Sequence, residues 1–284
     1  MRLAERGVRP VVINADSAQV YADLQIVSAR PTQTDMRGIP HRLFGAWDGA
    51  VACSAADWAA AAKREVENAH LAGELPILVG GTGLYIRTLL DGIAPIPPID
   101  PAIRAAVRAL PTNDAYAALA DEDPERHAVL EPGDSQRIAR ALEIVRSTGR
   151  PQREWQERTE GGIADSVRLA PAILLPDRER LFERCAKRFD AMIAAGALEE
   201  VARLLQRRLD PDLPIMRAIG VPELSAVAEG MLSLQEACDR ATQATRQYAR
   251  RQYTWFRNQP PQGWMRLSTK SAVTDALTER LFPD

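Results

Sequence analysis

Apolar positions along the chain fall into short β-branched runs separated by longer stretches with helical spacing. Val11-Val12-Ile13, continuing to Asn14, has the length and branching of a buried strand. Pro76 to Val79 and Ala172 to Leu175 read the same way. Between the first two, Ala55 to Ala72 is alanine-rich, with Ser54 placed to cap it. Strands alternating with helices predict an α/β fold built on a mostly parallel sheet. After Asp91-Gly92, the prolines Pro95, Pro97, Pro98 and Pro101 predict a stiff connector. From about Ile99 to Glu160 the spacing is helical only, with turns at Pro111, Pro124, Pro132-Gly133 and Gly149. That predicts a helical insertion, after which the strand from Ala172 returns the chain to the sheet. From Arg178 to Asn258 the pattern is helix and turn, and Met1 to Arg6 read as the tail of an amphipathic helix.

Composition narrows the class. The 284 residues are 46% hydrophobic, enough to build a core, and the net charge is −2. A balanced charge gives no global attraction to nucleic acid, so any such binding must come from local patches. The three cysteines, Cys53, Cys185 and Cys238, are far apart, with no C-x-x-C and only three histidines. A structural zinc site is therefore not expected, and unpaired cysteines suit a reducing, cytoplasmic setting. No apolar run approaches the roughly 18 residues of a bilayer span, and the start has no secretory h-region.

Five segments carry candidate chemistry. In N-A-D-S-A-Q-V-Y, residues 14–21, Asp16 falls at the carboxyl end of the first strand, where open α/β sheets bind ligands. The same Asp-Ser pair could simply cap a helix. In L-V-G-G-T-G-L-Y, residues 78–85, a strand runs through glycines into a helix, with Thr82 able to hydrogen-bond there. No lysine follows these glycines, so this is not a G-x-x-x-x-G-K-[ST] phosphate loop. Asp134 opens a helix on which Arg137 and Arg140 share a face while Leu142 and Val145 turn inward. Residues 240–257 interleave Arg240, Arg246, Arg250, Arg251 and Arg257 with Tyr248, Tyr253, Trp255 and Phe256. Basic and aromatic side chains together suit phosphates and exposed bases, or else an ordinary helix with its rings in the core. Arg217, after Pro214, could hold a phosphate bidentately.

In this order, D-S-A-Q-V-Y, A-R-P (Ala29–Pro31), L-V-G-G-T-G-L-Y, D-P-A-I-R (Asp100–Arg104), Q-R-I-A-R-A-L-E with G-R-P and Trp155, D-L-P-I-M-R-A-I-G and R-R-Q-Y-T-W-F-R resemble the bacterial tRNA dimethylallyltransferases over nearly the whole chain. The resemblance implies a P-loop NTPase-like α/β core, residues 1–96 and 161–284, with an all-helical, tRNA-contacting insertion at 97–160. It implies transfer of a dimethylallyl group from its diphosphate to N6 of adenosine 37 in the anticodon loop, with Mg²⁺ and a monomeric enzyme. Asp16 matches the family's general base, and Arg217 the arginine that stabilises the leaving diphosphate. Asp16, Ser17, Ala18 and Gln19 match the segment holding the target base. Thr82, Arg104 and the run Gln136, Arg137, Ile138, Ala139, Arg140 match tRNA-contacting positions, and Arg250 and Arg251 lie on the arginine-rich helix expected to grip RNA.

Two departures accompany the likeness. Family members open with a phosphate loop of the type G-P-T-A-S-G-K-T, which supplies the Mg²⁺ ligand, and no such loop occurs here. The sequence is expected to start inside the following helix, short by roughly two dozen residues, and residues 1–284 alone are expected to turn over little. Val221-Pro222-Glu223 stands where many members have Tyr-Arg-Gln. The rival readings are an adenylate isopentenyltransferase acting on free nucleotide, a non-catalytic tRNA-binding paralogue, and a nucleoside-phosphate kinase.

Overall fold

The computed structural model describes residues 7–282, so the helix tail read at Met1 to Arg6 lies outside the described residues. Among the described residues, the strands and the helices of eight residues or more follow in order: β1 (Pro10–Asn14), β2 (His41–Arg42), α1 (Ala55–Leu71), β3 (Leu75–Val79), α2 (Gly83–Asp91), α3 (Pro101–Arg108), α4 (Thr112–Glu122), α5 (Ser135–Thr148), β4 (Ala172–Leu174), α6 (Arg178–Ala194), α7 (Ala197–Gln206), α8 (Val221–Ala228), α9 (Leu234–Asn258), β5 (Met265–Leu267) and α10 (Lys270–Leu281). Two compact units result, one holding the described residues up to Leu89 and from Ser166 on, the other Leu90–Asp165.

In the first unit the sheet order is β2-β1-β3, all parallel, as the alternation of strand and helix predicts. Val11 and Ile13 of β1 are buried, and Pro10, which lacks an N–H, sits at the first strand position, where that lack is tolerated. β1 pairs with β3 from Pro10↔Leu75 to Asn14↔Val79, so the two strands end side by side. Helix α1 packs on β1 and β3 and is closed by a capping box in which Ser54 and Asp57 satisfy each other's backbone N–H. Its Trp58 is fully buried.

One expectation is corrected. β4 does not rejoin the sheet of β1; it pairs in parallel with β5, and the Leu175 N–H donates to the Leu267 carbonyl beyond the ladder. The hydrogen-bonding edge of β4 is thus taken by Met265-Arg266-Leu267, a segment too short and too polar at its centre to stand out as a strand. Helix α10 packs against this pair, and helices α6 to α9 pack in succession.

The second unit is helical. Val107, Leu119, Leu130, Ile138, Ala141 and Leu142 form its core, drawn from α3, α4, α5 and the segment between. Its ends are tied by an antiparallel bridge between Ile93 and Glu160. Among the described residues, no helix is long and apolar enough to cross a membrane.

Candidate functional site

Asp16 is held in place by its neighbours. The fully buried Asn14 side chain donates from Nδ2 to the Asp16 carbonyl (3.0 Å) and to the Leu43 carbonyl (3.1 Å), and its Oδ1 accepts the Asp16 N–H (2.9 Å). Trp58 donates its indole N–H to the Asn14 carbonyl at 2.8 Å. The last residue of β1 therefore clamps both backbone groups of Asp16, and a helix behind the sheet clamps that residue. On the side chain, Oδ1 accepts from the N–H groups of Ala18 (2.8 Å) and Gln19 (3.3 Å). These residues form a turn rather than a helix start, so the helix-cap reading gives way to an Asx turn. Among the described residues, Oδ2 makes no hydrogen bond. One oxygen orients the loop.

The glycine turn after β3 meets this loop. Thr82 donates its N–H to the Ala15 carbonyl (3.1 Å), its hydroxyl accepts the Ser17 N–H (3.0 Å), and it donates to the Ser17 hydroxyl (3.2 Å). A Cβ on Gly80 would lie 2.2 Å from the Ala15 carbonyl group, and one on Gly83 would lie 2.5 Å from the Trp255 ring. The turn is glycine-rich because the end of β1 and helix α9 press against it. Gln252 of α9 donates to the Gly81 carbonyl at 2.8 Å. Tyr248, one turn earlier, stands beside Asp16: burial raises its phenol pKa and the Asp16 carboxylate raises it further, against hydrogen bonds to Thr82 and Gln252. Behind the loop, Tyr85 stacks on Trp58 at 4.6 Å and donates to the Cys53 carbonyl at 3.3 Å. Burial pushes the Cys53 thiol up to about 11.

Gln19 points away from Asp16's free oxygen and donates to the carbonyls of Ser28 (3.1 Å) and Ala29 (3.2 Å). That receiving loop is held by the buried Glu200 of α7, whose carboxylate accepts the N–H groups of Gln25, Ile26 and Val27.

On α9 the rings are occupied from within, Trp255 on Gly83 and Tyr253 under Arg178 at 4.7 Å. The cations remain open. Arg250 lies over Phe182 (5.2 Å) and Arg251 over Tyr248 (5.7 Å), with no acidic partner for either among the described residues. Both line a surface groove of about 370 Å³ with Thr254, Trp255, Asn258 and Gln259. Arg217 ends a 3₁₀ turn, Pro214–Arg217, exposed, with its guanidinium on the Asp212 carbonyl.

The structure thus brings Asp16, Ser17, Ala18, Gln19 and Thr82 together, whereas Arg104 and residues 136–140 belong to the helical unit. There Arg137 pairs with the cap residue Asp134 at 3.2 Å, Gln136 is exposed, and Ala139 is packed against the core. The Ile138 side chain is fully buried in that core. The sequence reading assigned no role to Asn14, Gln252 or Glu200, and it offered Tyr248 only as one of the rings interleaved with arginines, not as a neighbour of Asp16. Their signals were faint: a polar residue ending an otherwise apolar strand, and two polar side chains four apart on one helix face. No group of three or more His, Cys, Asp or Glu side chains gathers among the described residues. They offer no carboxylate cage for Mg²⁺.

A parallel α/β unit that presents an oriented carboxylate and a glycine turn at the ends of adjacent strands belongs among proteins that bind ligands at the carboxyl edge of the sheet. Residues 19–259 match the family model described as IPP transferase. The chain is 60% identical over 272 residues to the tRNA dimethylallyltransferase of Novosphingobium aromaticivorans, covering 96% of this chain and 97% of that one. It is 57% identical over 282 residues to the tRNA dimethylallyltransferase of Erythrobacter litoralis, covering 99% and 89%. Among solved structures, the tRNA delta(2)-isopentenylpyrophosphate transferase of Staphylococcus epidermidis superposes with a TM-score of 0.67 at 28% identity, covering 99% of this chain and 92% of that one. The chain belongs to the IPP transferase family.

Proposed function

We propose that this protein transfers a dimethylallyl group from dimethylallyl diphosphate to N6 of adenosine 37 in the anticodon loop of tRNA. The observation that carries the reading is the state of Asp16: backbone clamped by Asn14, one carboxylate oxygen spent on the turn, the other without a partner among the described residues. An exocyclic adenine amine is a weak nucleophile because its lone pair is delocalised into the ring. As the N6–C bond forms and the C–O bond to diphosphate breaks, the amine must lose a proton, and Asp16 Oδ2 would take it. A flipped base would present that amine to the carboxylate. Arg217, exposed, has a guanidinium able to stabilise the departing diphosphate, and Mg²⁺ belongs to the same reading as the ion a diphosphate ordinarily carries. Ser17, Ala18, Gln19 and Thr82 would border the base. Arg104, Gln136, Arg137, Ala139, Arg140, Arg250 and Arg251 would meet the tRNA. A cytoplasmic monomer completes the reading.

Asp16→Ala should leave tRNA affinity within about threefold and lower the prenylation rate by about two to four orders of magnitude. A rate unchanged by that substitution would refute the reading.

A further inference from the structure

Within the helical unit, three arginines converge on one buried carboxylate. Glu143 of α5 is 2% exposed, while the side chains of Arg104, Arg108 and Arg140 around it are 48%, 59% and 43% exposed. Arg108 Nε lies 2.9 Å from Glu143 Oε1. Arg140 Nη1 lies 3.5 Å from Oε2, and Arg104 Nε lies 3.9 Å from the same oxygen. Arg104 and Arg108 are four residues apart on α3, on one face of that helix, and α3 packs on α5.

This cluster is poorly explained as a device for stability. A charge taken into a helical core loses hydration that its partners only partly restore, and apolar replacements of such groups are often neutral or stabilising. A second feature is the excess of cations, since three guanidinium groups around one carboxylate leave two positive charges uncompensated. Both α3 arginines approach the carboxylate through Nε. Their terminal Nη groups make no hydrogen bond among the described residues, and they are the fork that binds a phosphate bidentately.

We propose that Glu143 is a positioning residue that fixes Arg104, Arg108 and Arg140 as a cradle for the RNA backbone phosphate. The proposal rests on the reading of tRNA as substrate and deepens it: it adds Arg108 to the RNA surface and assigns the buried acid its role. It also makes a prediction opposite to that of simple charge. Neutralising an acid inside a basic patch should tighten RNA binding if only net charge matters. If the acid holds the fork in place, neutralising it should loosen binding.

The test is binding of an unmodified tRNA transcript over a range of salt concentrations, by parent, Glu143→Gln, Glu143→Leu and Arg108→Ala proteins, with thermal unfolding of each. For the parent, log K should fall linearly and steeply with log salt. Glu143→Gln should weaken binding about five- to tenfold at moderate salt and make the slope shallower by about one, as for one lost phosphate contact. Arg108→Ala should do the same. Glu143→Leu should hold or raise the unfolding temperature yet bind as poorly as the Gln variant, which separates placement from folding. Unchanged or tighter binding by a folded Glu143→Gln protein, beside a parent that binds steeply, overturns the cradle alone. A parent with no salt-dependent tRNA binding overturns the substrate reading itself.

Discussion

Removing the Asn14 amide tests how the site is built. Asn14→Ala deletes two donors and one acceptor, leaving the Asp16 N–H, the Asp16 carbonyl and the Leu43 carbonyl without their partner. A buried polar group left unpaired costs about 1–3 kcal/mol. The loop is part-buried, so water can restore some of this, and the low end of that range applies to each group. The expected loss is roughly 3 kcal/mol, a large share of the stability of an ordinary domain. Urea unfolding should show the midpoint falling with the slope m unchanged. Activity should fall through kcat, with KM for tRNA altered little, because the Asp16 carboxylate loses its fixed backbone while the arginines proposed to meet the RNA are untouched. A stability loss below about 1 kcal/mol together with parental kcat would show that Asp16 is placed by something other than Asn14.

Two further predictions follow from the packing behind the loop. Gly83→Ala sets a Cβ 2.5 Å from the Trp255 ring, which should cost roughly 1–2 kcal/mol by overpacking; in a Trp255→Ala background the same change should be neutral or stabilising, and equal effects in both backgrounds would refute the contact. The Cys53 thiol is raised from 9.0 to about 11 in the folded protein, so above pH 9 the unfolded chain loses that proton first. Its contribution is full below pH 9 and fades as pH rises to 11, for a loss of up to about 2 kcal/mol after solvent screening; unfolding curves across this range should show the decline, and Cys53→Ala should lessen it, the raised phenols of Tyr21, Tyr85 and Tyr248 carrying the rest.

Periodicity in the chain determined the local elements. The β-branched run of β1, the Ser54 box that starts α1, the glycine break after β3 and the polar-apolar alternation of α5 each report the conformation their own residues favour, and each formed as its pattern predicts. The position of Asp16 at a strand end was legible for the same reason. What covers each face was not. Periodicity marks an apolar or polar side without naming its partner, so the pairing of β4 with β5 and the clamp of Asn14 on Leu43 came only from the tertiary structure. The seating of Trp255 on Gly83 did too. Glu143 shows this most plainly. In sequence it is one acid among arginines, as on many solvated helix faces; only the packing of α3 on α5 buries it and brings two guanidinium groups, of Arg104 and Arg108, to join that of Arg140 on its own helix.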